Sequence, residues 1–136
     1  MCTTSVVFDF FVGELYEMVI ITKDKVIVTA RKMCYIIKTD EIIYISKIKG
    51  SRKVKILLSS GENYMVNGLI KDFELLLLKT FYKLNKSFII NINFLLETCY
   101  EMDSFIRMYS DIYLYVSLRD IRKLNGFLSN NYRRLQ

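Results

Sequence analysis

The sequence predicts a mostly β fold of the α+β class. Short runs of β-branched and aromatic residues recur from Val26 onward, each bounded by turn residues. Only two stretches, about 69–79 and 118–129, show the three- and four-residue apolar spacing of a helix. There is no proline, and the five glycines form no linker. One compact domain with short flanking helices is therefore expected, over residues 24–136. Residues 1–23 read as an acidic, aromatic N-terminal segment ahead of it.

In chain order, residues 26–30 and 34–37 are β-branched runs. Residues 42–45 follow a turn at Thr39 and Asp40. Residues 54–58 lead into a Ser59, Ser60, Gly61, Glu62 turn, and 63–66 return as a hairpin partner. Over 69–79, Ile70, Phe73, Leu76 and Leu77 line one face, while Lys71, Asp72 and Glu74 fall elsewhere. The stretch is too short for a heptad seam, so its leucines read as core. Residues 82–94 read as a strand plus a short turn or helix. Residues 105–108 and 113–116 read as strands joined through Tyr109, Ser110 and Asp111. Ser117 is placed to accept the Asp120 backbone N–H and start the last helix. Leu118, Ile121, Leu124 and Leu128 are its expected buried stripe.

Composition narrows the function. The chain has 136 residues, 52% of them hydrophobic, enough for a sizeable core. The net charge is +6, unevenly spread. Residues 1–22 hold Asp9, Glu14 and Glu17 and no basic residue, so all twenty Lys and Arg follow. A domain so basic attracts polyanions: nucleic acid, an anionic membrane or an acidic protein. The absence of histidine removes the commonest general base and metal ligand. Cys2, Cys34 and Cys99 fit neither a zinc spacing nor an even disulfide framework, and read as reduced thiols. Neither a Gly-rich phosphate loop nor a nucleophile elbow appears, so no enzyme, cofactor, metal or small-molecule substrate is expected. The apolar stretch 5–21 is interrupted by its three acids and lacks a basic leader, so a cytoplasmic protein is expected.

The charge gathers in three places. Residues 47–55 carry Lys47, Lys49, Arg52, Lys53 and Lys55 without an acid, around a Gly50–Ser51 turn. Such a cluster repels itself; a phosphate backbone offsets that repulsion, whereas a plain solvated loop also tolerates it. Lys79, Lys83, Asn85 and Lys86 form a second group, and Arg119, Arg122 and Lys123 a third. Arg119 falls at a helix N-terminus, where the macrodipole disfavours a cation and a bound phosphate reverses the sign. Arginine also pairs bidentately with guanine.

Three stretches in this order resemble the LytTR family of bacterial DNA-binding domains. Asp40-Glu41-Ile42-Ile43-Tyr44-Ile45 resembles its opening strand, with the basic loop directly after. Phe81-Tyr82-Lys83-Leu84-Asn85-Lys86-Ser87-Phe88-Ile89-Ile90-Asn91 resembles its central signature. Val116-Ser117-Leu118-Arg119-Asp120-Ile121-Arg122-Lys123-Leu124 resembles its closing helix start. The resemblance spans about residues 26–128. It implies a β-sheet domain whose loops enter major grooves of duplex DNA, commonly at direct repeats bound by two protomers.

Carried over, the base contacts fall on Arg52, on Lys86 with Asn85, and on Arg119. Lys49, Ser51, Lys53, Lys55, Lys83, Ser87, Arg122 and Lys123 are the expected backbone contacts. Asn85 stands where the family often has His, Leu118 where a second Arg is common, and Leu69 where a small polar cap is usual, with Asn67 a substitute cap. Asparagine reads adenine, so the preferred base shifts more than the binding does. Only about 22 residues precede the domain, so a stand-alone transcription regulator without a receiver domain is expected. Val6, Phe8, Phe10, Phe11, Leu15 and Tyr16 are then either a homodimer or regulatory-partner contact, or a segment packed on its own domain. An RNA-binding or non-specific module, and a basic adaptor for protein or membrane, are the alternative functions.

Overall fold

The computed structural model describes residues 5–12, 15–30, 33–78, 80–100 and 103–132. The chain divides into two compact units, Met1–Ile92 and Asn93–Gln136.

In the first unit, β1 (Ser5–Val12), β2 (Leu15–Thr22), β3 (Lys25–Ala30) and β4 (Met33–Lys38) form an antiparallel meander. The N-terminal segment thus supplies two strands, and β2 runs in register along β3 from Glu17↔Ala30 to Ile21↔Val26. A second antiparallel sheet holds β5 (Ile42–Lys47), β6 (Lys53–Leu58), β7 (Asn63–Asn67), β8 (Phe81–Asn85) and β9 (Phe88–Asn91). Its order is β7-β6-β5-β9-β8. β5 is central and buried from Ile42 to Ser46, as expected of an unbroken apolar run.

Alternating residues build the core of this unit. Val19, Ile21, Val26, Val28 and Ile37 come from the first sheet, and Ile45, Val54, Ile56, Val66 and Ile89 from the second. Burying each such side chain contributes about 1.5–3 kcal/mol. The expected helix is a 3₁₀ helix, Ile70–Leu78. Its buried residues, Ile70, Phe73 and Leu76, recur every third position, which is the 3₁₀ repeat rather than the α repeat. Leu69 N–H donates to the Asp72 carboxylate at 2.8 Å, so an acid inside this helix, not a residue before it, takes that donor.

In the second unit, β10 (Leu95–Cys99), β11 (Phe105–Met108) and β12 (Ile112–Tyr115) form an antiparallel sheet in that order. Ser110 and Asp111 both have positive φ, 65° and 56°, in the tight turn of residues 109–111 between the paired Met108 and Ile112. The helix α1 (Leu118–Tyr132) follows, and Thr98 Oγ1 of β10 donates to Asn125 Oδ1 at 2.9 Å. Ile106, Met108, Leu114, Ile121 and Leu124 are buried.

Three expectations need correction. The region 82–94 is a two-strand hairpin, β8 and β9, followed by a 3₁₀ turn at Ile92–Phe94. β10, with a register shift between Leu95 and Glu97, was not read as a strand. Leu118 is 37% exposed and Leu128 only half-buried, so the buried stripe of α1 is Ile121 and Leu124.

Candidate nucleic-acid interface

The second sheet of the first unit ends in two turns that lie side by side. β5 and β6 are joined by residues 48–52, where Gly50 has φ +77°, a conformation other residues rarely adopt. Ser51 N–H donates to Ile48 O at 3.1 Å, and Lys53 N–H donates to Ser51 Oγ at 3.2 Å. Gly68 N–H donates to Arg52 O at 2.9 Å and pins the loop to the end of β7. β8 and β9 are joined by Lys86 and Ser87, where Ser87 N–H donates to Asn85 Oδ1 at 2.7 Å. Lys47 N–H donates to Ser87 O at 2.8 Å, which ties the two turns together. Both are therefore backbone-braced, and a side chain on either starts from a fixed platform.

Lys47, Lys49, Arg52, Lys53 and Lys86 are exposed at this end. Among the described residues, none of these five has a carboxylate within ion-pair distance. Between the two turns lies a cleft of about 330 Å³, lined by Lys47, Ser51, Lys53, Lys71, Lys83 and Lys86, with Gly68, Leu69 and Ile70 completing the lining. Lys83 Nζ meets Glu74 Oε1 of the 3₁₀ helix at 2.6 Å.

The sequence-derived residues thus separate by role. Ser51, Arg52, Lys53, Asn85, Lys86 and Ser87 come together, with Lys49 on the same loop. Asn85 is half-buried, and its carboxamide oxygen shapes the turn that presents Lys86. Lys55 sits one step along the sheet, opposite Ser46, with its ammonium 5.9 Å from the Tyr44 ring centroid. Lys79 lies outside the described residues. The rest of the central signature is internal: Ile89, Ile90 and Asn91 are fully buried, and Asn91 Nδ2 donates to Ile42 O at 2.9 Å. Asn91 therefore locks β9 onto β5 and holds the hairpin in place.

Lys71 and Glu74 belong to this site and were not found in the sequence. They lie 16 or more positions beyond the basic stretch 47–55, on a helix face that reads only as solvated.

The second unit carries its own cations. Asp120 N–H donates to Ser117 Oγ at 3.1 Å, and Ile121 N–H donates to Ser117 O at 3.1 Å, so the predicted cap starts α1. Arg119, Arg122 and Lys123 are exposed on its first two turns. Arg107 differs: its Nε lies 2.8 Å from Glu97 and its Nη1 3.2 Å from Asp111. The bond to Glu97, more than Asp111, pushes its already high pKa further up.

Among the described residues no group of His, Cys, Asp or Glu is arranged to hold a metal ion, and no helix is long and apolar enough to cross a membrane. The sequence profile of the LytTr DNA-binding domain family matches residues 31–129, well over half of the chain. No curated protein matches it.

Proposed function

The chain belongs to the LytTR family of DNA-binding domains, and from that premise we propose that it is a transcription regulator that reads duplex DNA sequence-specifically, at direct repeats, as a homodimer on the DNA. The observation that carries this reading is the end of the central sheet. Exposed cations stand there on two braced turns with no carboxylate partner among the described residues. Fixed turns favour base reading, because a side chain that is already positioned loses less entropy on binding.

Each side chain has a definite task in this reading. Arg52 and Arg119 pair bidentately with guanine in the major groove. Lys86 reaches a base edge from its turn, with Asn85 beside it. The backbone contacts are Lys49, Ser51, Lys53, Lys55, Lys83, Ser87, Arg122 and Lys123. The Ser51 hydroxyl oxygen already accepts Lys53 N–H, so its proton is the group to offer a phosphate. The regulator works in the cytoplasm without a cofactor; within residues 1–23 it is β1, the edge strand of the first sheet, that contacts a second protomer or a regulatory protein, because β2 is paired on both sides and buries Val19 and Ile21 in the core.

A second reading has one observation in its favour. Phe105, Tyr113 and Tyr115 group on one face of the C-terminal sheet, with Tyr115 71% exposed. Exposed aromatics of this kind stack unpaired bases. Arg107, which would supply the charge there, is instead committed to Glu97 and Asp111.

Guanine methylation interference separates the two. Methylating guanine N7 in a bound duplex should block binding at discrete positions, because N7 is one of the two atoms an arginine fork uses. Binding indifferent to methylation, with single strands preferred, would favour the stacking face.

A further inference from the structure

We infer that the cleft between the two turns is a clamp for the backbone phosphates of the bound duplex, that Lys71 and Lys47 are among its holders, and that Glu74 weakens it by occupying Lys83. This rests on the DNA reading above and adds to it a phosphate subsite and an internal competitor for it.

The cleft gathers lysines from five places: the end of β5, the start of β6, the 3₁₀ helix, β8 and the β8–β9 turn. Among the described residues no acid lines it, and Ser51 adds a hydroxyl. At about 330 Å³, against the roughly 10–15 Å³ that admits one water by the same measure, it has room for a tetrahedral oxyanion. Its chemistry selects the ligand. An ammonium is a compact point charge with three rotatable donors, suited to phosphate oxygens approached from several sides. Arg52, the guanidinium of the loop, is absent from the lining. Holding therefore falls to Lys47, Lys53, Lys71 and Lys83 of the cleft, while Arg52 and Lys86, on the turns at its rim, remain the base readers.

Glu74 already supplies one anion. Its carboxylate contacts Lys83 at 2.6 Å, from the same 3₁₀ helix that carries Lys71. An incoming phosphate must share or displace that partner, so each binding event works against an existing ion pair. Removing the carboxylate releases one cation and deletes one repulsive charge.

The test measures affinity for the preferred duplex and for an unrelated duplex across a salt series. It uses the full chain, Lys71→Ala and Glu74→Gln, with thermal unfolding confirming that each variant folds. Lys71 is exposed, so its truncation leaves the core intact. Lys71→Ala should weaken both duplexes by the same factor and lower the salt slope by about one. Glu74→Gln should strengthen both by the same factor and steepen the slope.

Unchanged affinity and slope in Lys71→Ala, with wild-type binding intact, would overturn the clamp and leave the DNA reading standing. A wild-type chain that bound no duplex would overturn both. Pyrophosphate supplies the free-ligand arm. It should compete only as its ionic strength dictates; tight pyrophosphate binding that expels DNA and is lost in Lys71→Ala would assign the cleft to a free phosphate ester instead.

Discussion

Arg52, on a turn between two strands, and Arg107, inside β11, are the same chemical group in two different settings. Arg107 lies on an antiparallel pair facing Glu97, with Asp111 four residues on, and both carboxylates bond it. Arg52 lies on a turn beside Lys49, Lys53, Lys47 and Lys86, and no carboxylate of the described residues reaches it. A neutralised cation adds to the fold and offers little to a polyanion. A cluster of unneutralised ones opposes the fold slightly and waits for an external charge. Net charge therefore says less about DNA binding than which cations lack an internal partner.

The largest expected effects test that contrast directly. Arg52→Ala or Arg119→Ala should cost about 1–3 kcal/mol on the preferred site and relax preference at one base position, measured by competition between matched duplexes. Arg107→Ala should leave DNA affinity unchanged while lowering the thermal midpoint a little. If Arg107→Ala cost as much affinity as Arg52→Ala, partnering would not be what separates them.

Ser117→Ala sharpens the comparison within the second unit. Losing the cap should cost about 1 kcal/mol of stability in denaturant unfolding. It should also weaken binding through Arg119, because the first turn of α1 frays. Lys55→Ala should have a smaller effect. It should weaken all duplexes alike and reduce the salt slope by about one, without changing base preference.

The smallest effect concerns pH and lies away from the DNA. Tyr35 of β4 stacks on Tyr64 of β7, with ring centroids 4.9 Å apart. Burial, then Glu17 and Tyr64, push the Tyr35 pKa up to about 12 from the ordinary 10.0. Between these values the unfolded chain gives up the proton and the folded chain keeps it. That contribution to stability is complete below pH 10 and lost as pH rises towards 12. Urea midpoints across this window should fall more shallowly in Tyr35→Phe than in the wild type; parallel curves would remove Tyr35 from the explanation.

Much of the site was legible in the sequence because it is local. Five cations within nine residues around a glycine, and a Ser117 cap before Arg119, are short-range patterns, and the braced turns lie where they placed them. The rest depends on pairing over long distances. β1 and β2 were hidden because their apolar stretch, broken by Asp9, Glu14 and Glu17, lacks clean alternation. Glu17 shows what one of those acids does: it accepts Asn67 N–H at 3.2 Å, across 50 positions.

The side chains of Val6, Phe8, Phe10, Phe11, Leu15 and Tyr16 lie outside the described set, as does Cys2. The family profile begins at residue 31, after β1, β2 and β3, although β3 is paired along its length with β4. β10 is hidden because its register shift between Leu95 and Glu97 interrupts the period-two pattern and none of its residues is fully buried. The lysine cleft escaped because Lys71 and Glu74 reach it only once the 3₁₀ helix has packed through Ile70, Phe73 and Leu76.

The most direct test of sequence-specific reading is selection of the purified chain against random duplex DNA at physiological salt. Enrichment of one motif, recovered as a spaced direct repeat, is the predicted result. Retention of duplexes with no shared motif, lost steeply as salt rises, would contradict it and reduce the sheet-end cations to a non-specific grip on phosphate.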